Sequence, residues 1–150
     1  MQSPLVLTRF VQPDQVSCDE LTLALTAEQR SVLRGLRSTT CGQNVLLQLP
    51  RDGVLQPGVC LAGETLQPLI RVVATAEPLL RVQATTTFEL VQAAYHLGNR
   101  HVALEVRDAE LLLLKDSVLE LMLRRRGLQV TCCHQPFHPE VGAYSSHNHS

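Results

Sequence analysis

Over the first 75 positions apolar residues come in short runs broken by turn residues, the pattern of strands. Leu5-Val6-Leu7 and Phe10-Val11 precede Pro13-Asp14, a turn signal. Leu21 to Leu25 alternates apolar with small or polar residues, as a half-buried strand does. Val32 to Arg37 reads as a further strand. Thr26-Ala27-Glu28-Gln29 just before it has the form of a helix-opening capping box, but Gly35 weighs against a helix there. Val45 to Leu49 is strongly apolar and is closed by Pro50-Arg51-Asp52-Gly53. Pro57-Gly58 marks another turn, and Leu69 to Val73 a last strand. Turns at this spacing predict an all-β small barrel or sandwich over residues 1–75. That segment holds no histidine and only scattered carboxylates, so it suits docking a protein or peptide better than catalysis.

From residue 76 to 144 the period changes. Leu80, Val82 and Ala84 alternate with Arg81 and Gln83, and Thr86-Thr87-Phe88-Glu89 then fits a capping box. The helix that follows places Phe88, Val91, Ala94 and Tyr95 on one face, with Gly98 as its stop. His101 to Val106 is expected as a strand whose apolar face is Val102, Leu104 and Val106, leaving His101, Ala103 and Glu105 on the other side. Leu111 to Leu114 reads as a central strand, and Ser117-Val118-Leu119-Glu120 as a second capping box. Gly127 is a second helix stop, and Leu128 to Cys132 a final strand with Cys132 on the core side and Cys133 opposite. The chain is therefore expected to be α+β, its second domain having the βαββαβ order of ferredoxin-like folds. That order puts the strand after the first helix at a sheet edge and His101 outside the core. Residues 145–150 form a flexible tail that contains His147 and His149.

Composition narrows the function classes. The net charge of −1 gives no electrostatic footprint for nucleic acid, and Arg124-Arg125-Arg126 falls where cations complement a helix C-terminus. Aromatic residues are 3% and Trp is absent, so the core must be built from Leu and Val. No run reaches the ~20 apolar residues of a membrane span. The first residues lack the basic start and apolar run of a secretory leader. Five cysteines without CxxC spacing suggest reduced thiols, hence a cytoplasmic protein.

The six histidines all lie at or after position 96. Neutral imidazole binds nickel, copper, zinc and iron. His101 is the leading candidate ligand, because the expected register turns its ring away from the core. One imidazole holds a divalent ion weakly, so a two-fold related chain is the natural source of a second. His96 is a further candidate, with the helix C-terminal charge as its ordinary role. His147 and His149 form an H-x-H pair in a polar tail, a composition suited to metal capture. His134 and His138 flank Pro136-Phe137 and read as structural or solvated.

Tyr95-His96-Leu97-Gly98-Asn99-Arg100-His101, together with Phe137-His138-Pro139-Glu140-Val141-Gly142-Ala143-Tyr144, resembles the UreE family of urease accessory proteins, which act as nickel metallochaperones. The resemblance covers essentially the whole chain. It implies a peptide-binding-like β domain, a ferredoxin-like metal-binding domain, and a homodimer with nickel held at the two-fold interface by His101 of each chain. Tail ligands would fall on His147 or His149. The partners it implies are the urease apoprotein complex and its GTPase accessory protein. Ni(II) would be cargo, with Zn(II) or Cu(II) as ions that the same donors take in vitro. Lys115-Asp116-Ser117 stands where some relatives carry His-x-His, so that additional internal site is not expected, and the short tail points to a carrier of low capacity. A protein-interaction module with incidental metal binding is the rival expectation. An enzyme would need a phosphate loop or an acid–base pair, and neither pattern is present.

Overall fold

In the computed structural model, which describes residues 3–12, 20–51 and 53–141, apolar alternation becomes strand pairing within each of two units, Met1–Thr75 and Ala76–Ser150. The expected Pro13-Asp14 turn lies outside the described residues. The architecture is mixed α and β, with three sheets and three helices among those residues.

In the first unit, β1 (Leu5–Leu7) runs parallel to β5 (Asn44–Gln48), which pairs antiparallel with β4 (Arg34–Ser38). A second sheet has the order β2 (Arg9–Val11), β6 (Cys60–Ala62), β7 (Leu69–Ala74) and β3 (Glu20–Leu25). Leu7, Val45 and Leu47 from one sheet and Leu23, Leu25, Leu61, Ile70 and Val72 from the other meet in a single aliphatic cluster. Such a cluster fits a chain poor in aromatics, since branched aliphatics interdigitate without polar atoms that need partners. Thr26 to Arg30 corrects the strand expectation. Thr26 caps a one-turn helix α1 (Ala27–Arg30) with both capping-box bonds present, and the strand begins only at Arg34. Reciprocal capping satisfies local donors at once, and Gly35 falls beyond this helix. The strand Cys60–Ala62 was not legible, being three residues long and flanked by turns.

The second unit forms one sheet from β8 (Ala76–Gln83), β9 (Glu105–Val106), β10 (Leu111–Leu114) and β11 (Gln129–Pro136), in the order β11-β8-β10-β9 with every pair antiparallel. Helix α2 (Thr87–Asn99) joins β8 to β9, and α3 (Ser117–Arg125) joins β10 to β11. Leu80, Val82, Leu111, Leu113 and Val130 from the sheet pack with Leu90, Ala93, Leu97 and Leu123 from the helices.

The helix faces differ from the expected ones. Leu90, Ala93 and Leu97 are buried, whereas Phe88, Val91 and Tyr95 are exposed at 70%, 59% and 66%. Both stripes have helical spacing, and spacing alone does not say which one meets the sheet. The cap of α3 is Asp116, one residue before Ser117, and its Oδ1 accepts from the backbone N–H groups of Val118 and Leu119, each at 2.9 Å. Cys132 is exposed, not in the core, although it shares a face of the edge strand β11 with the buried Val130.

Gly63 follows β6 and lies against β1. A Cβ built there would sit 2.3 Å from the Val6 carbonyl oxygen, so only glycine admits this approach. Gly63→Ala should lower stability by about 1–3 kcal/mol, the usual cost of overpacking, read as a lower urea midpoint.

Candidate metal centre

Helix α2 does not end at Gly98, which remains helical. It ends one residue later at Asn99, with Arg100 as the cap and His101 at φ +59°, among the described residues the one non-glycine with a positive φ. His101 N–H donates to the Gly98 carbonyl at 3.0 Å and Val102 N–H to the Leu97 carbonyl at 3.1 Å. These two bonds make a Schellman stop, and Leu97 and Val102 belong to the same apolar cluster, the contact that commonly accompanies the motif. Helix α3 ends in the same way, with Gly127 at φ +85° and Leu128 N–H donating to the Leu123 carbonyl at 3.2 Å. One chain thus contains both versions of the stop. Glycine fills the left-handed position without strain in one, and histidine fills it in the other against the Cβ clash.

His101 is consequently in a turn and not at the start of a strand, as the expected register had it. The strand proper is only Glu105–Val106, and its faces are the expected ones, with Val106 opposite Leu111 and Glu105 opposite Leu112, but the burial is reversed: Glu105 is buried and Val106 is half exposed. The side chain of His101 is exposed nonetheless, because the left-handed residue lies outside the helix while Val102 turns back to the core.

Around His101 the chain is pinned by a carboxylate. Glu105 is 7% exposed. One of its oxygens accepts from the His138 backbone N–H at 2.9 Å, and the other pairs with the Arg107 guanidinium at 2.6 Å. Arg107 also approaches Glu110 at 3.5 Å, Glu110 pairs with Arg81 at 3.1 Å, and Arg81 donates to Gln135 at 3.2 Å. Beside this chain of charges the Glu140 N–H donates to the Leu104 carbonyl at 2.7 Å, and Phe137 is fully buried. The segment that leads into the C-terminal tail is therefore fastened to residues three and four positions after His101.

The remaining candidates are dispersed. His96 is half-buried in the last turn of α2, its ring edge-to-face with Tyr95 at 5.4 Å between centroids. His134 and His138 are exposed. His147 and His149 lie outside the described residues. Among the described residues no three of His, Cys, Asp and Glu cluster in a way that could hold a metal ion. One copy of this unit, over those residues, does not supply a complete coordination sphere. The left-handed turn and the Glu105 clamp left no pattern in the sequence; the one available signal was the carboxylate at 105 amid apolar neighbours.

Comparison with known proteins decides the family. Residues 77–150 match the family model described as UreE urease accessory protein, C-terminal domain. The chain is 64% identical over 124 residues to the urease accessory protein UreE of Synechococcus sp. (strain WH7805), covering 83% of this chain and 71% of that one. It is 57% identical over 130 residues to the UreE of Parasynechococcus marenigrum, covering 87% of each, and 43% identical over 146 residues to that of Nostoc punctiforme, covering 97% and 99%. The chain belongs to the UreE family. A role in urease assembly follows from that membership, and the UreE relatives are named as accessory proteins. Within this UreE chain, the stretch Gly98 to His101 is the left-handed stop just described.

Replacing His101 separates backbone from side chain. His101→Gly should raise stability by about 1 kcal/mol by relieving the left-handed strain, whereas His101→Ala keeps a Cβ and should not. Gly127→Ala should lower it by a similar amount. Denaturant unfolding of the three variants checks the ordering.

Proposed function

We propose that this chain is a nickel carrier that delivers Ni(II), as cargo, to the urease apoprotein during assembly, with His101 as the central ligand. The observation that carries the proposal is an exposed histidine held in a backbone conformation that glycine would adopt without strain. Strain of this kind persists where the side chain is needed. Imidazole is a borderline nitrogen donor suited to nickel, and to zinc or copper in vitro. Family membership supplies the urease context. Release to a GTPase accessory protein and the apo-urease complex in the cytoplasm belongs to the same proposal.

A second ligand comes from a second copy. The exposed stripe Phe88, Val91 and Tyr95 runs along α2 toward the end that carries His101, an apolar face of the kind that marks an interface. A two-fold axis near the end of that stripe would bring the two His101 rings together with nickel between them. The tail supplies further ligands. Val141 follows the backbone clamp at Glu140, and the six residue steps from Val141 to His147 can span at most about 20 Å. Tethering at that length gives His147 and His149 a high local concentration around His101. His96, near the end of the same helix, is a lesser candidate.

The strand order β11-β8-β10-β9 supports a ferredoxin-like architecture for residues 76–144. The first unit is proposed as the docking part. Its groove of about 540 Å³, lined by Leu5 to Thr8, Gln48, Gly63 to Thr65, Gln67 and Pro68, favours a partner segment over a reaction. In the rival assignment docking is the whole function and metal is incidental.

Calorimetric titration separates the two. His101→Ala should lose at least tenfold in nickel affinity and the dimer-bridging stoichiometry of one ion per two chains. Unchanged binding would leave only the docking role. Val91→Glu should convert dimer to monomer in sedimentation velocity and weaken nickel binding in parallel, since half the ligands leave with the partner.

A further inference from the structure

A second pair of donors lies on β11, at the opposite edge of the sheet from β9. Cys132 and His134 are two residues apart on this strand, so both point to the same face, with Cα atoms about 6.6 Å apart. Cys132 stands across from Leu80 and His134 across from Pro78, which fixes that face as the one Val130 shares with Val82. Val130 is buried there, but both Cys132 and His134 are exposed. Cysteine is among the residues most often buried, and an unpaired exposed thiol is a liability that folding does not require. On an edge strand the pair is open to solvent from above and from the side.

We propose that Cys132 and His134 form a two-donor site for Cu(I), separate from the nickel site. The choice of ion follows from the ligand count and softness. Cys133 points to the other face, and the described residues hold no cluster of three donors, so two ligands are what the strand supplies. Zinc and nickel need four or more ligands. Cu(I) is satisfied by two, and thiolate is its preferred donor. Binding replaces the thiol proton with the ion: the Cys132 S–H bond breaks, S–Cu forms, one proton leaves to solvent, and neutral His134 donates a ring nitrogen with no change of oxidation state. Cys41 is less suited. It is exposed, with Thr39 Oγ1 3.3 Å from its sulfur, a contact that with the Gln43 backbone lowers its pKa. No His, Asp or Glu lies within two positions of it. Cys60 is buried.

If His101 carries nickel as proposed, the Cu(I) site protects it. Cu(I) is a soft ion that prefers thiolate to imidazole. A thiolate site elsewhere on the carrier gives reduced copper a preferred place and leaves His101 to nickel.

The test is competition for Cu(I) between the reduced full-length protein and the chromophoric chelator bicinchoninate, under anaerobic conditions. The wild type should withdraw one Cu(I) per chain. Cys132→Ser and His134→Ala should each weaken this at least tenfold, while Cys41→Ser and His101→Ala should match the wild type. Failure of the wild type to compete, or undiminished competition by Cys132→Ser, overturns the proposal. Loss in His101→Ala would also overturn it, by showing that the copper sits at the nickel ligand. Nickel titration of His134→Ala should equal the wild type, so the two proposals stand or fall separately.

Discussion

The left-handed residue at the end of α2 is the constraint on which the second unit depends. A helix that leaves its last carbonyls unpaired must either fray or reverse its path, and two backbone bonds from His101 and Val102 accomplish the reversal. Val102 is thereby returned to the apolar cluster beside Leu97, and the chain is aimed at β9 along the sheet edge. The same step leaves the imidazole outside. Exposure of the ring and burial of the next side chain are thus one event, and the strain at φ +59° is its local cost. Helix α3 shows that the fold achieves the identical stop with glycine, so nothing in the backbone calls for histidine.

Electrostatics holds the neighbourhood together. Glu105 is buried between the His138 backbone N–H and the Arg107 guanidinium, and a buried carboxylate is tolerable only with such partners. From there the charges continue through Glu110 and Arg81 to Gln135, crossing from the β9–β10 turn to β11. This ladder occupies the sheet face that the helices leave uncovered. It ties the segment after His101 to the segment before the tail, two stretches more than thirty residues apart in sequence. For the carrier proposed above, whose ligands would come from different parts of the chain or from two chains, such ties would do what no local motif does.

Distributed ligands also suit a protein that must give its ion away. A closed four-ligand site holds metal as part of the fold. Here the described residues offer single imidazoles, exposed except for the half-buried His96, and the proposed Cys132–His134 pair. Under the proposed function, binding would depend on what approaches, a second copy, a tail or an acceptor, and each could be exchanged. Membership in the UreE family places the chain in urease assembly.

The sequence by itself determined a good deal. Local signals, read over a few residues, were reliable where a local interaction enforces them. The Thr86 cap donates and accepts with Glu89, the stop at Gly127 has its positive φ, and the apolar run Leu111–Leu113 is buried in a central strand. The α+β character followed from the change of period near residue 76. The tertiary structure decided what competing local patterns left open. Two apolar stripes on α2 have equal spacing, and only packing chose Leu90, Ala93 and Leu97 for the core. Glu105 is buried and Val106 exposed because a partner thirty-three residues away satisfies the carboxylate, and no period-two rule contains that partner. The residue after α2 became left-handed because Val102, which follows it, had to reach the core, and no local pattern marks His101 for that position. Hydrophobic periodicity records which residues are apolar, and long-range bonds decide where they go.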